Sequence, residues 1–459
     1  MGKRKSGHVQ KATICVVIIT AFSTTFTGSA LNLSIPDIGS EFGVSAGVVG
    51  WLITGYTLAV AAFSVPFGRM ADITCRKMVL VTGIAVFAAC CTAAVFSVSI
   101  IMLMAARIVQ GIGAAMIFST NTAVLIDAFS ENERGRVLGY SLAATYAGLS
   151  VGPVAGGFLN QHFGWQSIFI LTGILGAAAL VTAALMIPKE TVMYSGRNAD
   201  AWGSVMYVLF IVLLMYGLSE IGKGVISYVI IVSGIIMGAV FIRHELRADD
   251  PAVKVRMFIE NAGYRCSNLS AMINYGATFA IGYLMSIYLQ IIMGYSSQAA
   301  GLIMICQPLV IALLTPMAGR ISDRFSPFRL SSAGMVLCSA GTCIFIFVHE
   351  GTSIFVIVGA LVITGIGFSL FSSPNANAVM SFVAKEDYGV ASSFIATMRA
   401  VGNTFSMVIV TVIVNGYMGA APLADAQPDV LVQVTRASFI VFTVICAAGV
   451  LMSLKRNHQ

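Results

Sequence analysis

"GYSLAATYAGLSVGPVAGG", residues 139–157, packs five glycines and one proline into nineteen otherwise largely apolar residues. In water each interior glycine costs a helix ~1 kcal/mol relative to alanine, and a proline ~3 kcal/mol. In lipid the balance differs. Helices there gain nothing from hydrophobicity against one another, and small residues let their backbones touch. The stretch reads as a transmembrane helix whose glycines at 148–157 lie tightly against a neighbour. Pro153 should kink it, with the freed carbonyl satisfied by neighbours or water.

The rest of the chain fits a membrane. Of 459 residues, 58% are hydrophobic and only 10% charged, with a mean hydropathy of +0.91. A soluble domain carries roughly 25% charged residues, so too little charge is present to cover a water-facing surface. The apolar residues fall in continuous blocks of about 20, the length that crosses ~30 Å of hydrocarbon as a helix. They do not alternate as barrel strands would. The fold class is therefore an all-α polytopic membrane protein.

Fourteen spans are expected: 12–34, 47–67, 79–98, 101–126, 137–158, 166–187, 202–220, 224–243, 267–292, 298–318, 330–348, 353–375, 389–414 and 436–454. With the N-terminus inside, 22 of the 26 Lys and Arg fall on the cytosolic side, and only Lys223 and Arg436 outside. Loop charge sets orientation, so both termini are expected in the cytosol. The net charge of +7 is explained by this bias and needs no nucleic-acid partner. The nine cysteines are scattered and the five histidines form no cluster. No metal site, cofactor or nucleophile–base pair is expected, and an enzyme is disfavoured.

Two loops look alike. "GRMADITCRK" (68–77) and "GRISDRFSPFR" (319–329) each place Asp four residues after Gly, then basic residues. Pro66 and Pro316 precede them. Repeated loops imply a duplicated bundle, a usual build of secondary transporters. The loops lie eight helices apart rather than six, so spans 202–220 and 224–243 read as an insertion. The expected organisation is a six-helix bundle at 1–190, two inserted helices and a loop at 191–262, and a second six-helix bundle at 263–459. Gly68, Asp72, Arg76 and Lys77, with Gly319, Asp323 and Arg324, read as cytosolic latches: glycine for close approach, carboxylate and cations for pairing.

These residues resemble the major facilitator superfamily, in particular its fourteen-span drug:proton antiporter branch of multidrug and tetracycline-type efflux transporters. The two loops are similar to that superfamily's signature and its second-half copy. Gly139, Gly148, Gly152, Pro153, Gly156 and Gly157 match the antiporter motif G-x8-G-x3-G-P-x2-G-G in full. "RIVQGIGAA" (107–115) resembles the fourth-helix motif with its arginine, and "YLQIIMGYSSQAAGLIMICQP" (288–308) a pattern of the fourteen-span branch. The resemblance implies a multi-pass plasma-membrane monomer that exports small lipophilic molecules by alternating access, with protons exchanged. The alternative is export of a metabolite such as an amino acid or organic anion.

The branch carries a carboxylate in its first helix. The matching stretch here, "FTGSALNLSIPD" (26–37), has Thr27 and Gly28 at those positions. Asp127, near the inner end of the fourth span, is the remaining coupling candidate. Arg107 and Arg399 lie within spans, where a cation costs at least ~2.5–3.5 kcal/mol on insertion scales. Each either hydrogen-bonds carbonyls freed by nearby Gly or Pro, or faces the central cavity. Asn32, Gln110, Asn274, Gln307 and Asn403 are the candidate polar groups of that cavity. Trp51, Tyr56, Tyr146, Tyr275 and Tyr283 are its candidate aromatics.

Overall fold

The computed structural model describes residues 7–129, 131–188, 200–222, 224–248, 251, 255–322, 324–383, 388–419, 422 and 426–455. Among them fourteen helices are long and apolar enough to cross a membrane. In chain order they are α1 (Gly7–Phe42), α2 (Ala46–Ala71), α3 (Arg76–Val95), α4 (Ile100–Ala128), α5 (Val137–Phe163), α6 (Gln166–Met186), α7 (Ala201–Ser219), α8 (Val225–Glu245), α9 (Ala262–Ile292), α10 (Ser297–Ser322), α11 (Pro327–Phe347), α12 (Ile354–Ser381), α13 (Phe394–Met418) and α14 (Pro428–Leu454). Every expected span is present.

Short polar residues start several of these helices by accepting an otherwise orphaned backbone N–H. The Ser45 hydroxyl accepts from Val48 N, Asp200 from Gly203 N at 2.8 Å, Asn261 from Tyr264 N at 2.9 Å, and Ser296 from Ala299 N. Glycine ends α1, where Gly43 sits at φ 59°, and forms the turn between α5 and α6 with Gly164 at φ 76°. The first span runs farther than its apolar block. Past a 3-10 turn at Asn32–Ser34 the chain re-enters a helix at Ile35. Pro36 sits in that helix's first turn, where a missing N–H costs nothing.

The helices form two bundles, α1–α6 and α9–α14. The end bearing the loops α2–α3 and α10–α11 is called here the basic end. The antiporter-motif glycines split between two partners. A Cβ at Gly148, Gly152 or Gly156 would run into Phe22, Ser29 or Ala30 of α1. One at Gly157 would strike the backbone of Ser297 and Gln298 on α10. Reciprocally, a Cβ at Gly301 would strike the Pro153 backbone. So α5 packs on its own bundle through three glycines and on the other through one. Gly139 has open space around it and takes no part. The carbonyl freed by Pro153 is that of Leu149, four residues earlier, and the Ser29 hydroxyl donates to it at 3.2 Å.

The hairpin α7–α8 packs against α2 and α13. Leu58, Ala61 and Ala62 of α2, Tyr207, Ile211 and Met215 of α7, and Val401 and Val408 of α13 share one buried apolar cluster. Helix α7 therefore fills the lateral seam between the bundles on the α2–α13 side. The Tyr207 hydroxyl donates to the Ala61 carbonyl at 3.1 Å. That carbonyl neighbours Ala62's, which Pro66 leaves without its helical N–H.

The first latch loop packs on helices of its own bundle. A Cβ at Gly68 would meet Ser119 at an ordinary 3.6 Å, so close approach does not require glycine there. Arg76 pairs with Asp127 on α4 at 2.5 Å, and Lys77 donates to the Ala184 carbonyl on α6 at 2.9 Å. Both contacts lie within the first bundle. The Asp72 side chain and Asp323 lie outside the described residues. At Gly319 a Cβ would come within 2.9 Å of the Ser373 hydroxyl, and Arg324 is exposed.

Substituting Gly156 with leucine should abolish the α1–α5 contact and lower the thermal unfolding midpoint in detergent by several degrees. Gly139→Ala should leave it unchanged or raise it. Equal effects at both positions would contradict the packing described.

Candidate functional site

The two span arginines have opposite surroundings. Arg107 is 1% exposed within the first bundle. Its Nε donates to the Leu52 carbonyl at 3.1 Å, and its Nη1 donates to Gln110 Oε1. Its guanidinium lies 4.2 Å from the Tyr56 ring centroid and 6.0 Å from that of Phe169. Gln110 donates onward to Cys91 Sγ at 3.0 Å, which lies 3.5 Å from the Thr172 hydroxyl. Arg107, Gln110 and Tyr56 thus form one enclosed network that ties α2, α3, α4 and α6 together. It faces no cavity.

Arg399 is exposed although it sits inside α13. Its guanidinium carbon is 5.6 Å from the Tyr275 ring centroid on α9. Tyr275 packs edge-on against Phe368 of α12 at 5.2 Å, and its hydroxyl lies 3.5 Å from that of Ser372. Tyr146 of α5 reaches the same place from the first bundle, beside Tyr275, Arg399, Ser372 and Thr315. Because these neighbours come from both bundles, Arg399 is exposed into the space between them rather than toward lipid. Asn403, one turn along α13, has an amide oxygen buried without a hydrogen-bond partner. Tyr146 lies nine residues into α5 from the basic end, roughly 14 Å at 1.5 Å per residue.

The opposite end of this space is closed. The Tyr283 hydroxyl of α9 donates to the Ala46 carbonyl of α2 at 2.9 Å, and Ser286 donates to the Asn32 carbonyl. Gln290 donates to the Leu33 carbonyl at 3.0 Å. A π-helical turn at Tyr288–Ile292 accompanies this contact. Asn160 of α5 donates to Asp37 and, at 2.9 Å, to Ser297 of α10, which donates at 3.0 Å to Gln290. Glu41 accepts from the Trp165 indole at 2.6 Å. With that end sealed, Arg399 is exposed on the basic-end side of the seal.

The remaining candidates scatter. Asn32 belongs to the seal. Asn274 is fully buried beside Cys338 in the second bundle. Gln307 is half-buried on α10. Trp51 packs at a tilt against Tyr216 of α7, with ring centroids 5.8 Å apart. Asp127 is held by Arg76 at the basic end, away from the inter-bundle cluster. Sequence reasoning missed Ser372, Thr315 and the Asp37–Asn160–Ser297 contact. Serines and threonines are common in spans, and nothing in their spacing marks these.

The sequence match agrees with this architecture. A family model described as Major Facilitator Superfamily matches residues 17–243 and 268–458. The chain belongs to the major facilitator superfamily. It is a membrane transporter of small molecules, not an enzyme. Riboflavin transporter RibZ of Clostridioides difficile is 26% identical over 396 residues, covering 85% of this chain and 86% of that one. Multidrug resistance protein Stp of Mycobacterium tuberculosis is 26% identical over 459 residues, 98% of this chain and 85% of its own. Cephamycin export protein CmcT of Amycolatopsis lactamdurans is 27% identical, covering 94% and 92%. Among solved structures, a bacterial homolog of the human lysosomal transporter Spinster, inward-facing and unoccupied, superposes with a TM-score of 0.73 at 14% identity over 99% of this chain and 98% of that one. A peptide transporter of the POT family gives 0.72 at 16% identity over 97% and 96%. These two major facilitator structures share the fold.

Replacing Asn160 with alanine removes two bonds of the seal, one of them between bundles. Such bonds are worth ~0.6 kcal/mol on average in membranes and up to ~1.7. The population open at the sealed end should rise about 3- to 20-fold, read as faster maleimide labelling of a cysteine placed at Ser286. Unchanged labelling would deny Asn160 a part in closure.

Proposed function

We propose that this major facilitator transporter exports lipophilic small molecules, drugs and antiseptics among them, across the plasma membrane by alternating access. The basic end faces the cytosol, with both termini there, and the protein works as a monomer. The observation that carries the reading is the cluster formed by Tyr146 from one bundle and Tyr275, Thr315, Ser372 and Arg399 from the other. A site shared between bundles changes shape when they rock, so binding and exposure are coupled. Its mix of aromatic walls and few polar groups suits amphipathic ligands. Relatives named for multidrug resistance and cephamycin export support the outward direction.

The resemblance supplies protons as the exchanged ion. The residues give that less support. Thr27, where the branch carries its carboxylate, is fully buried and donates to the Ser23 carbonyl at 2.7 Å. Asp127 is engaged by Arg76. A second reading, export of an endogenous metabolite such as an amino acid or organic anion, is favoured by the exposed Arg399.

The test is efflux from proteoliposomes loaded with lipophilic dyes, antiseptics and candidate metabolites, with internal pH followed in parallel. Tyr146→Ala should lower flux at least about tenfold without lowering the unfolding midpoint, since a lost packing and hydrogen-bonding group of ~1.4 kcal/mol is a factor of ten. Full flux in Tyr146→Ala would remove the inter-bundle cluster from the transport path. Flux without proton movement would remove proton exchange.

A further inference from the structure

We propose that Arg399, with Tyr275 and Tyr146 beside it, is an anion-recognition subsite, and that the transported molecule is an organic anion with a planar apolar body. This rests on the transport reading above. The guanidinium is exposed within a span, over one aromatic ring and beside a second from the opposite bundle. Of the 19 Asp and Glu, the five that fall within span limits are Asp37, Glu41, Asp127, Glu245 and Asp429. Each lies within about one and a half turns of a span end. Among the described residues no carboxylate pairs with Arg399.

An exposed, unpaired cation between the bundles of a membrane protein is a standing preference for an anion and against a cation. The guanidinium's planar fork matches a carboxylate or a similar oxyanion. Tyr275, Tyr146 and Phe368 offer ring faces and edges to a planar body, and the hydroxyls of Ser372 and Thr315 offer secondary hydrogen bonds. The second span arginine does not compete for this role, because it is enclosed inside the first bundle.

The same assignment accounts for the missing helix-1 carboxylate. A cell interior is electrically negative, so a departing monoanion runs down the membrane potential. That alone supports a concentration ratio of about 50-fold per 100 mV. Cation export has to be driven against that field, and a proton-carrying carboxylate in the membrane is one means of doing so. Anion export does not require one.

The experiment uses the full chain in lipid nanodiscs and a matched probe set: aromatic carboxylates such as 2-naphthoate, their neutral amides, and the corresponding aminomethyl cations. Equilibrium binding is read by protein fluorescence. The expected order is carboxylate over amide over cation. In Arg399→Gln the carboxylate should weaken about 10- to 100-fold, the scale of a charge-assisted hydrogen bond, and the amide should change less than about twofold. Arg399→Lys, which keeps the charge, should keep the preference in part and shows that loss in the glutamine variant is not misfolding. A preference for the cation, no binding by any carboxylate probe, or a carboxylate preference that survives Arg399→Gln would overturn the proposal. A second arm separates it from the transport reading. In proteoliposomes, a potassium–valinomycin potential without a pH gradient should drive carboxylate flux. Selective binding without flux would sink the transporter reading for these probes and leave the subsite standing. Flux that ignores probe charge would sink the subsite and leave the transporter.

Discussion

The two bundles meet backbone to backbone where α5 crosses α10. Pro153 and Gly157 on one helix face Ser297 and Gly301 on the other, and a single methyl on either glycine would collide with the partner's main chain. In lipid this is how helices adhere: apolar side chains gain nothing by exchanging lipid for protein, and contact area gained through small residues decides. The polar seal depends on that approach. Asn160 reaches Ser297 at 2.9 Å only because Gly157, less than a turn before it, lets the backbones close. Three further glycines hold α5 to α1, so the crossing helix is anchored in its own bundle while it touches the other.

From that crossing the functional geometry follows. Closing one end of the inter-bundle space leaves the other accessible, and the groups at mid-depth then decide what can stay there. The sealed end is built from hydrogen bonds to main-chain carbonyls at Asn32, Leu33 and Ala46, worth little each and easily exchanged for water. The enclosed Arg107 network is the opposite kind of structure. Arg107, Gln110, Cys91 and Thr172 link four helices through one chain of contacts inside a single bundle. On the α2–α13 side helix α7 fills the lateral seam.

Much of the fold was legible in the sequence because a bilayer imposes its own ruler. Continuous apolar blocks of span length marked out the fourteen helices. The glycine motif announced close packing, and packing is where Gly148, Gly152, Gly156 and Gly157 are found. Depth along a span could be read, but not the face. Arg107 and Arg399 look alike in sequence, both flanked by small and apolar residues, yet one is enclosed and the other open. A membrane helix is apolar all round, so no period-3.6 stripe tells its inward face from its lipid face. The seal was illegible for another reason: Asp37, Asn160 and Ser297 are brought together over separations of 123 and 137 residues. Gly68 shows the converse, a motif glycine with room for a side chain.

Rocking of one bundle against the other, which parts the α5–α10 contact at the sealed end, is the claim on which the rest stands. The most direct measurement is a pair of spin-label distances across the bundles, one at the sealed end between Val98 and Phe355 and one at the basic end between Met78 and Phe325, all exposed positions. On adding a transported substrate, the first distance should lengthen as the second shortens. Distances that stay fixed while substrate moves, or that change in the same direction, would contradict it.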